Sequence, residues 1–234
     1  MNTKSPFQRI ESTTNLFATV LLYALYIVLG ISFIFLFVLG PVYGIYKRGF
    51  EAMLSTTLIC WGLSLLILIP TTRYYIIKRK KLAHKIVVDE TGIVYYNSKN
   101  EITDQILYSE LRPSKQNFDI YTVNPVGSGI VPMTEVTLQQ EKNEETVKRI
   151  DMNLPLTIIK NKFTLYAQFL YGITLFRPDL KIDPTTFRVY SIDTATWKVN
   201  NKGVSQGGWL VILAALIITA LIIGFVFLLS ETKN

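Results

Sequence analysis

The 234-residue sequence is almost empty of metal-binding side chains, with one histidine, His84, and one cysteine, Cys60. A single histidine excludes a multi-histidine metal site, and a single cysteine excludes an intrachain disulfide, a Cys-His pair and a thiolate zinc set. No metal and no cofactor is expected. Charge is the second absence. Residues 16–46, 52–70 and 208–230 contain no Asp, Glu, Arg, Lys or His. Ion and proton pathways place an ionisable residue inside a span, so a lone copy of this chain is not expected to transport. A complete phosphate loop is also missing: Val126-Gly127-Ser128-Gly129 lacks the Lys-Ser/Thr that would meet phosphate and metal, and strand-like Ile130-Val131 follows it. The carboxylate pairs Asp89 with Glu90 and Asp104 with Glu110 read as turn and solvent-facing residues. No catalytic motif stands out, and no enzymatic activity is expected.

What is abundant is apolar surface. Half of the residues are hydrophobic, and they concentrate in the charge-free stretches. A hydrocarbon core about 30 Å thick requires about 20 apolar helical residues at about 1.5 Å each. Windows 16–39, 52–70 and 209–229 meet that length. Three spanning helices are predicted, two in a hairpin over residues 16–72 and a third over residues 208–230. The first is too long for a cleaved signal peptide and ends at Phe37-Val38-Leu39-Gly40-Pro41 without a small-residue cleavage site, so it is expected to stay as an anchor. Cys60 lies inside the second, where a small thiol serves packing. Gly40 with Gly44, and Ala220 with Gly224, are candidate helix-packing pairs, because small residues four apart let helices approach closely.

The net charge of +7 is unevenly placed. Residues 73–85 form a collar of six basic groups, Arg73, Lys78, Arg79, Lys80, Lys81 and Lys85, with no acid among them. From residue 86 to residue 207, thirteen Lys and Arg face fourteen Asp and Glu, so the soluble segment is not basic and no nucleic-acid partner is expected. Basic residues near span ends are retained on the cytoplasmic side. The collar therefore predicts residues 73–207 and the tail 1–15 inside, the short loop with Lys47, Arg48 and Glu51 outside, and the tail 231–234 outside. Tyr43, Tyr46, Tyr74, Tyr75 and Trp209 stand at span ends, where aromatic rings prefer headgroup depth. The collar has two readings, a plain determinant of orientation or a contact for anionic lipid headgroups at about 1 kcal/mol per charge.

After the collar, the hydrophobic period becomes that of strands. Residues 85–89 and 93–97 are short β-branched or aromatic runs joined by Asp89-Glu90-Thr91-Gly92, a hairpin turn in which Gly92 accepts positive φ. Residues 102–111, 118–123, 130–140 and 146–152 read as four further strands. Asn153 is a candidate N-cap, with Pro155 in the first turn of an amphipathic helix that runs to Phe176. Residues 187–192 and 196–199 read as a late strand or an extended connector. The predicted fold class is α+β with transmembrane helices, in which a β-rich barrel or sandwich over residues 86–207 is closed by one amphipathic helix.

The run Ile86-Val87-Val88-Asp89-Glu90-Thr91-Gly92-Ile93-Val94-Tyr95-Tyr96-Asn97, followed by Ile106-Leu107-Tyr108-Ser109-Glu110-Leu111, resembles the opening of bacterial membrane-anchored pleckstrin-homology-like (PH-like) domains. Tyr108 stands where those domains usually carry Trp, and a span after the domain departs from their usual arrangement. The resemblance implies a scaffold at the bacterial inner membrane that binds lipid headgroups or protein segments, with no catalytic residues. Membrane lipids and a protein partner or a second copy are the expected partners. Two functional readings follow: a membrane-anchored interaction module, or an accessory subunit of a multi-component envelope transport or secretion assembly.

Overall fold

A computed structural model describes residues 7–78, 82–124, 132–139 and 145–200, together with helical positions 213, 216, 217, 219 and 220. Two compact units are present, one from Met1–Thr19 and Lys78–Asn200, the other from Val20–Ile77 and Asn201–Asn234.

Among the described residues two helices are long and apolar enough to cross a membrane, Leu16–Arg48, whose first turn to Thr19 belongs to the first unit, and Phe50–Ile77. The first is α-helical over Leu16–Ile34, passes through a π-turn at Phe35–Leu39 and resumes at Gly40–Arg48. The Gly40 N–H donates to the Phe35 carbonyl, five residues back, immediately before Pro41. Proline has no N–H and its ring crowds the preceding turn, so a wider turn relieves both problems without ending the helix. The loop expected around Lys47, Arg48 and Glu51 is instead helical. Lys47 and Arg48 lie in the last turn of one helix and Glu51 in the first turn of the next, each on the side that the helix dipole favours. The reversal is made by Gly49 alone, at φ +84, with its N–H 2.9 Å from the Ile45 carbonyl.

The second helix extends to Lys78 and carries Pro70 internally. Ser64 Oγ donates to the Cys60 carbonyl at 2.8 Å, and Thr71 Oγ1 donates to the Ile67 carbonyl at 2.7 Å. Both hydroxyls are satisfied by carbonyls of their own helix. Most of the predicted third span lies outside the described residues.

The first unit holds two antiparallel four-stranded sheets. Strands β1 (Ile10–Glu11), β2 (Lys85–Val88), β3 (Gly92–Tyr96) and β4 (Ile102–Leu107) form the first sheet in that order. The second is built on β7 (Met133–Gln139), which pairs with β8 (Glu145–Ile150) on one side. On its other side β5 (Leu111–Arg112) and β6 (Ile120–Val123) follow one another along the same edge. A helix, Lys162–Phe176, closes the core, and a short helix, Pro184–Val189, follows it. No closed barrel forms among the described residues. Among the described residues the sheets share no backbone ladder, and their edge strands β4 and β8 meet through side chains, with Lys148 Nζ 2.6 Å from Asp104 Oδ1.

Alternation explains the core. Ile86, Val88, Ile93, Tyr95 and Ile106 share one face of the first sheet, and Val136, Leu138 and Ile150 one face of the second. All are buried, as are Leu165, Tyr166, Phe169, Leu170 and Ile173 on the closing helix. The Asp89–Gly92 turn is in place, and Gly92 sits at φ +147 where a Cβ would lie 2.1 Å from the Ile106 carbonyl oxygen.

Three elements differ from expectation. The single strand predicted over residues 102–111 is broken by a 3-10 turn at Tyr108–Glu110, and its two halves belong to different sheets. The cause is Tyr108, whose ring is buried against Phe169 and Phe176 with centroids 5.6 and 5.2 Å away. The closing helix starts at Lys162 rather than near Pro155, because the N-terminal segment draws residues 158–160 into extended pairing: Asn15 N donates to the Ile158 carbonyl and Lys160 N to the Thr13 carbonyl, each at 2.7 Å. Residues 187–192, expected to be extended, contain the end of the short helix. Asp183 caps that helix by accepting the Thr185 N–H at 2.8 Å, and Pro184 follows in its first turn.

Candidate functional site

The collar residues occupy different settings. Arg73 is exposed on the second long helix, and Lys78 is that helix's last residue. Arg79, Lys80 and Lys81 lie outside the described residues. Lys85 belongs to β2, where its ammonium sits 5.1 Å over the Tyr96 ring and 3.9 Å from Glu11 Oε2. Its charge thus has an aromatic face and a counter-ion within the fold.

Of the packing positions, Gly44 faces Met53 of the second long helix, where a Cβ would lie 2.5 Å from the Met53 methyl. Trp61 Nε1 donates to the Val38 carbonyl at 3.2 Å nearby. A Cβ on Gly40 would meet the Phe35 carbonyl of its own helix at 3.4 Å. Ala220 is helical and Gly224 lies outside the described residues.

The acidic pairs have separate duties. Asp89 accepts from the N–H and hydroxyl of Thr91 at 2.8 and 2.6 Å, a turn-closing arrangement. Asp104 binds Lys148, and Glu110 accepts the Leu107 N–H at 3.4 Å. Val126–Gly129 lies outside the described residues.

The most polar constellation is on the outer face of the second sheet. Tyr121, Glu135 and Arg149 stand side by side across β6, β7 and β8. Tyr121 Oη donates to Glu135 Oε1, Arg149 Nε donates to Glu135 Oε2 at 3.0 Å, and Gln116 Nε2 donates to Tyr121 Oη at 2.9 Å. Burial, then the bond to Glu135, pushes the Tyr121 phenol up to about 12. Beside this row an open cleft of about 630 Å³ is bordered by Lys115, Gln116, Tyr121, Thr137, Glu145 and Val147. The cleft offers both charge signs, hydroxyls and one exposed valine, a surface able to receive a polar segment of another molecule.

A second polar group is internal. The Tyr166 hydroxyl donates to the Ile150 carbonyl at 3.1 Å and receives the Met152 N–H at 3.2 Å. Its ring lies flat on that of Tyr190, 4.0 Å away. Tyr190 donates to the Pro132 carbonyl at 3.1 Å, which leaves Thr134 Oγ1, 2.9 Å away, as the donor to Tyr190. Lys162, at the head of the closing helix, donates to Asn153 Oδ1 at 2.8 Å and lies 3.8 Å from Asp151; burial holds its ammonium below the usual lysine range. These groups tie the segment after β8 to the core, and burial keeps the phenols protonated.

What sequence reading missed is the role of residues 7–15. Read as a tail, they carry β1 and grip the closing helix: Asn161 accepts the Thr13 N–H at 2.7 Å and donates to the Glu11 carbonyl at 2.8 Å, and Gln168 donates to the Gln8 carbonyl at 2.6 Å. Phe7 stacks on Tyr171 at 5.9 Å. Phe7 and Ile10 stand three residues apart with Gln8 and Arg9 between them, so the period of a strand is not written in this segment and residue order gives no signal for β1. Among the described residues, no cluster of three or more His, Cys, Asp or Glu is placed to hold a metal ion. In comparisons with models of protein families, with curated proteins and with solved structures, the chain matches none.

Proposed function

We propose that this chain is a non-catalytic interaction protein anchored in a membrane, whose α+β unit, like the PH-like domains its β2–β4 segment resembles, docks a partner at the cytoplasmic face. The observation that carries the reading is the pairing of β1 with β2, Ile10 opposite Val88 and Glu11 opposite Val87. One strand precedes the first long apolar helix and the other follows the second, so the chain must leave and return on one side. A helical hairpin reversing at Gly49 satisfies that demand. The apolar side chains of these helices support insertion: Leu16, Phe17, Leu58, Leu66 and Ile76 are each more than half exposed, and an exposed apolar surface of this extent is found where lipid or protein covers it. The basic collar supports the cytoplasmic side for the folded unit.

Reporter fusions test this reading. A reporter at residue 46 is expected to read outside the cell, and one at residue 140 inside. A reporter at residue 140 that reads outside, or both reporters on the same side, would overturn the proposal.

A further inference from the structure

We propose that residues Glu11–Thr19 form a coupler without slack, through which displacement of the first long helix is passed to the closing helix Lys162–Phe176. The inference rests on the membrane reading above. Between β1 and the start of the first helix at Leu16 there are only four residues, Ser12 to Asn15. Each is tied down. Ser12 donates its N–H to the Ile86 carbonyl at 2.8 Å, and its hydroxyl receives the Ile86 N–H at 3.0 Å. Thr13 gives its N–H to Asn161 and receives that of Lys160. Thr14 bridges Ile159, and Asn15 donates to the Ile158 carbonyl.

The attachment continues into the helix. Asn15 caps its first turn by accepting the Ala18 N–H at 3.2 Å, and Thr19 Oγ1 accepts the Ile158 N–H at 3.1 Å. Ala18 and Thr19 are buried. A flexible linker between an anchor and a domain absorbs motion as changes in its own dihedrals. Here no residue is free to do so, and a shift of the first turn must move residues 158–161. Asn161 precedes Lys162, the first residue of the closing helix, so the motion arrives at that helix's N-terminal end. Strands β6 and β7 pair with one another in the second sheet and serve as the internal reference.

The experiment uses the full chain in phosphatidylcholine bilayers of two hydrocarbon thicknesses, about 27 Å and about 33 Å, because a helix adapts to mismatch by tilting. Amide hydrogen exchange is followed over residues 158–170 and over β7. We expect exchange at 158–170 to change about fivefold between the bilayers while β7 stays constant. A variant with three glycines inserted between Asn15 and Leu16 is expected to lose the dependence. Thickness-independent exchange in the native chain would overturn the coupler by itself, whether or not the insertion variant folds. An equal dependence in a folded insertion variant would also overturn it. Membrane insertion is read separately by alkaline extraction of the same samples: chain released from the bilayer overturns the membrane reading and the coupler together, whereas retained chain with unchanging exchange removes only the coupler.

Discussion

Gly172 lies on the closing helix at the point where Tyr108 enters the core, and a Cβ there would be 2.0 Å from the phenol oxygen and 2.3 Å from the ring carbon that bears it. The ring cannot retreat, because Phe169 and Phe176 hold its faces. Gly172→Ala is therefore expected to cost about 1–3 kcal/mol through overpacking, read as a lower denaturation midpoint in mild detergent. An unchanged midpoint would show that Tyr108 has room to move. Tyr190 supports a second prediction. Burial pushes its phenol from the ordinary 10.0 up to about 12. A pKa raised by folding contributes stability that is whole below the unfolded value and is lost as pH climbs through the folded one, so the native chain should weaken between about pH 10 and about pH 12. Tyr190→Phe should escape roughly 2–3 kcal/mol of that loss. Lys162 has the opposite sign, since its lowered pKa makes stability rise with pH as the unfolded value of 10.5 is approached. Equal alkaline slopes in the native and Tyr190→Phe proteins would remove Tyr190 from the account.

At the scale of elements, the β2–β3 hairpin was legible because Asp89 and Gly92 bring their own turn chemistry. The start of the closing helix was not. Asn153 and Pro155 are a valid start signal, yet the backbone of residues 158–160 is committed to Thr13, Thr14 and Asn15, which are far away in sequence. The break in the strand at Tyr108 was hidden for the same reason. The run Ile106-Leu107-Tyr108 reads as continuous apolar strand, and only the position of Phe169, Gly172 and Phe176 decides that Tyr108 turns inward. The short helix at Pro184 could have been found, because Asp183-Pro184 is an N-cap followed by a favoured first residue. The collar also belongs to this scale. Replacing Lys78, Arg79, Lys80 and Lys81 by Gln should abolish salt-sensitive binding of the reconstituted chain to acidic vesicles, since the near-neutral remainder of the soluble segment offers no net attraction. The screening length falls to about 8 Å at physiological ionic strength, so the native interaction should weaken as salt rises. Equal binding by both proteins would leave the collar as a determinant of orientation only.

For the whole molecule, the open cleft beside Tyr121 and the apolar helices favour partnership over isolation. The chain purified in mild detergent is expected to carry a protein partner or a second copy, measured as the mass of the intact particle. A bare monomer of 26.7 kDa would count against that expectation. A fixed complex with a larger membrane protein would favour the accessory-subunit reading. The long apolar helices and the strand-rich segment could be read directly from residue order, because an uninterrupted apolar run and an alternating sheet face are both local patterns of hydrophobicity. The two-sheet arrangement, the recruitment of residues 10–11 as an edge strand and the cross-strand row Tyr121, Glu135 and Arg149 could not. Those depend on which distant backbone and side-chain groups satisfy one another once water is excluded, and only the folded chain brings such groups within hydrogen-bonding distance.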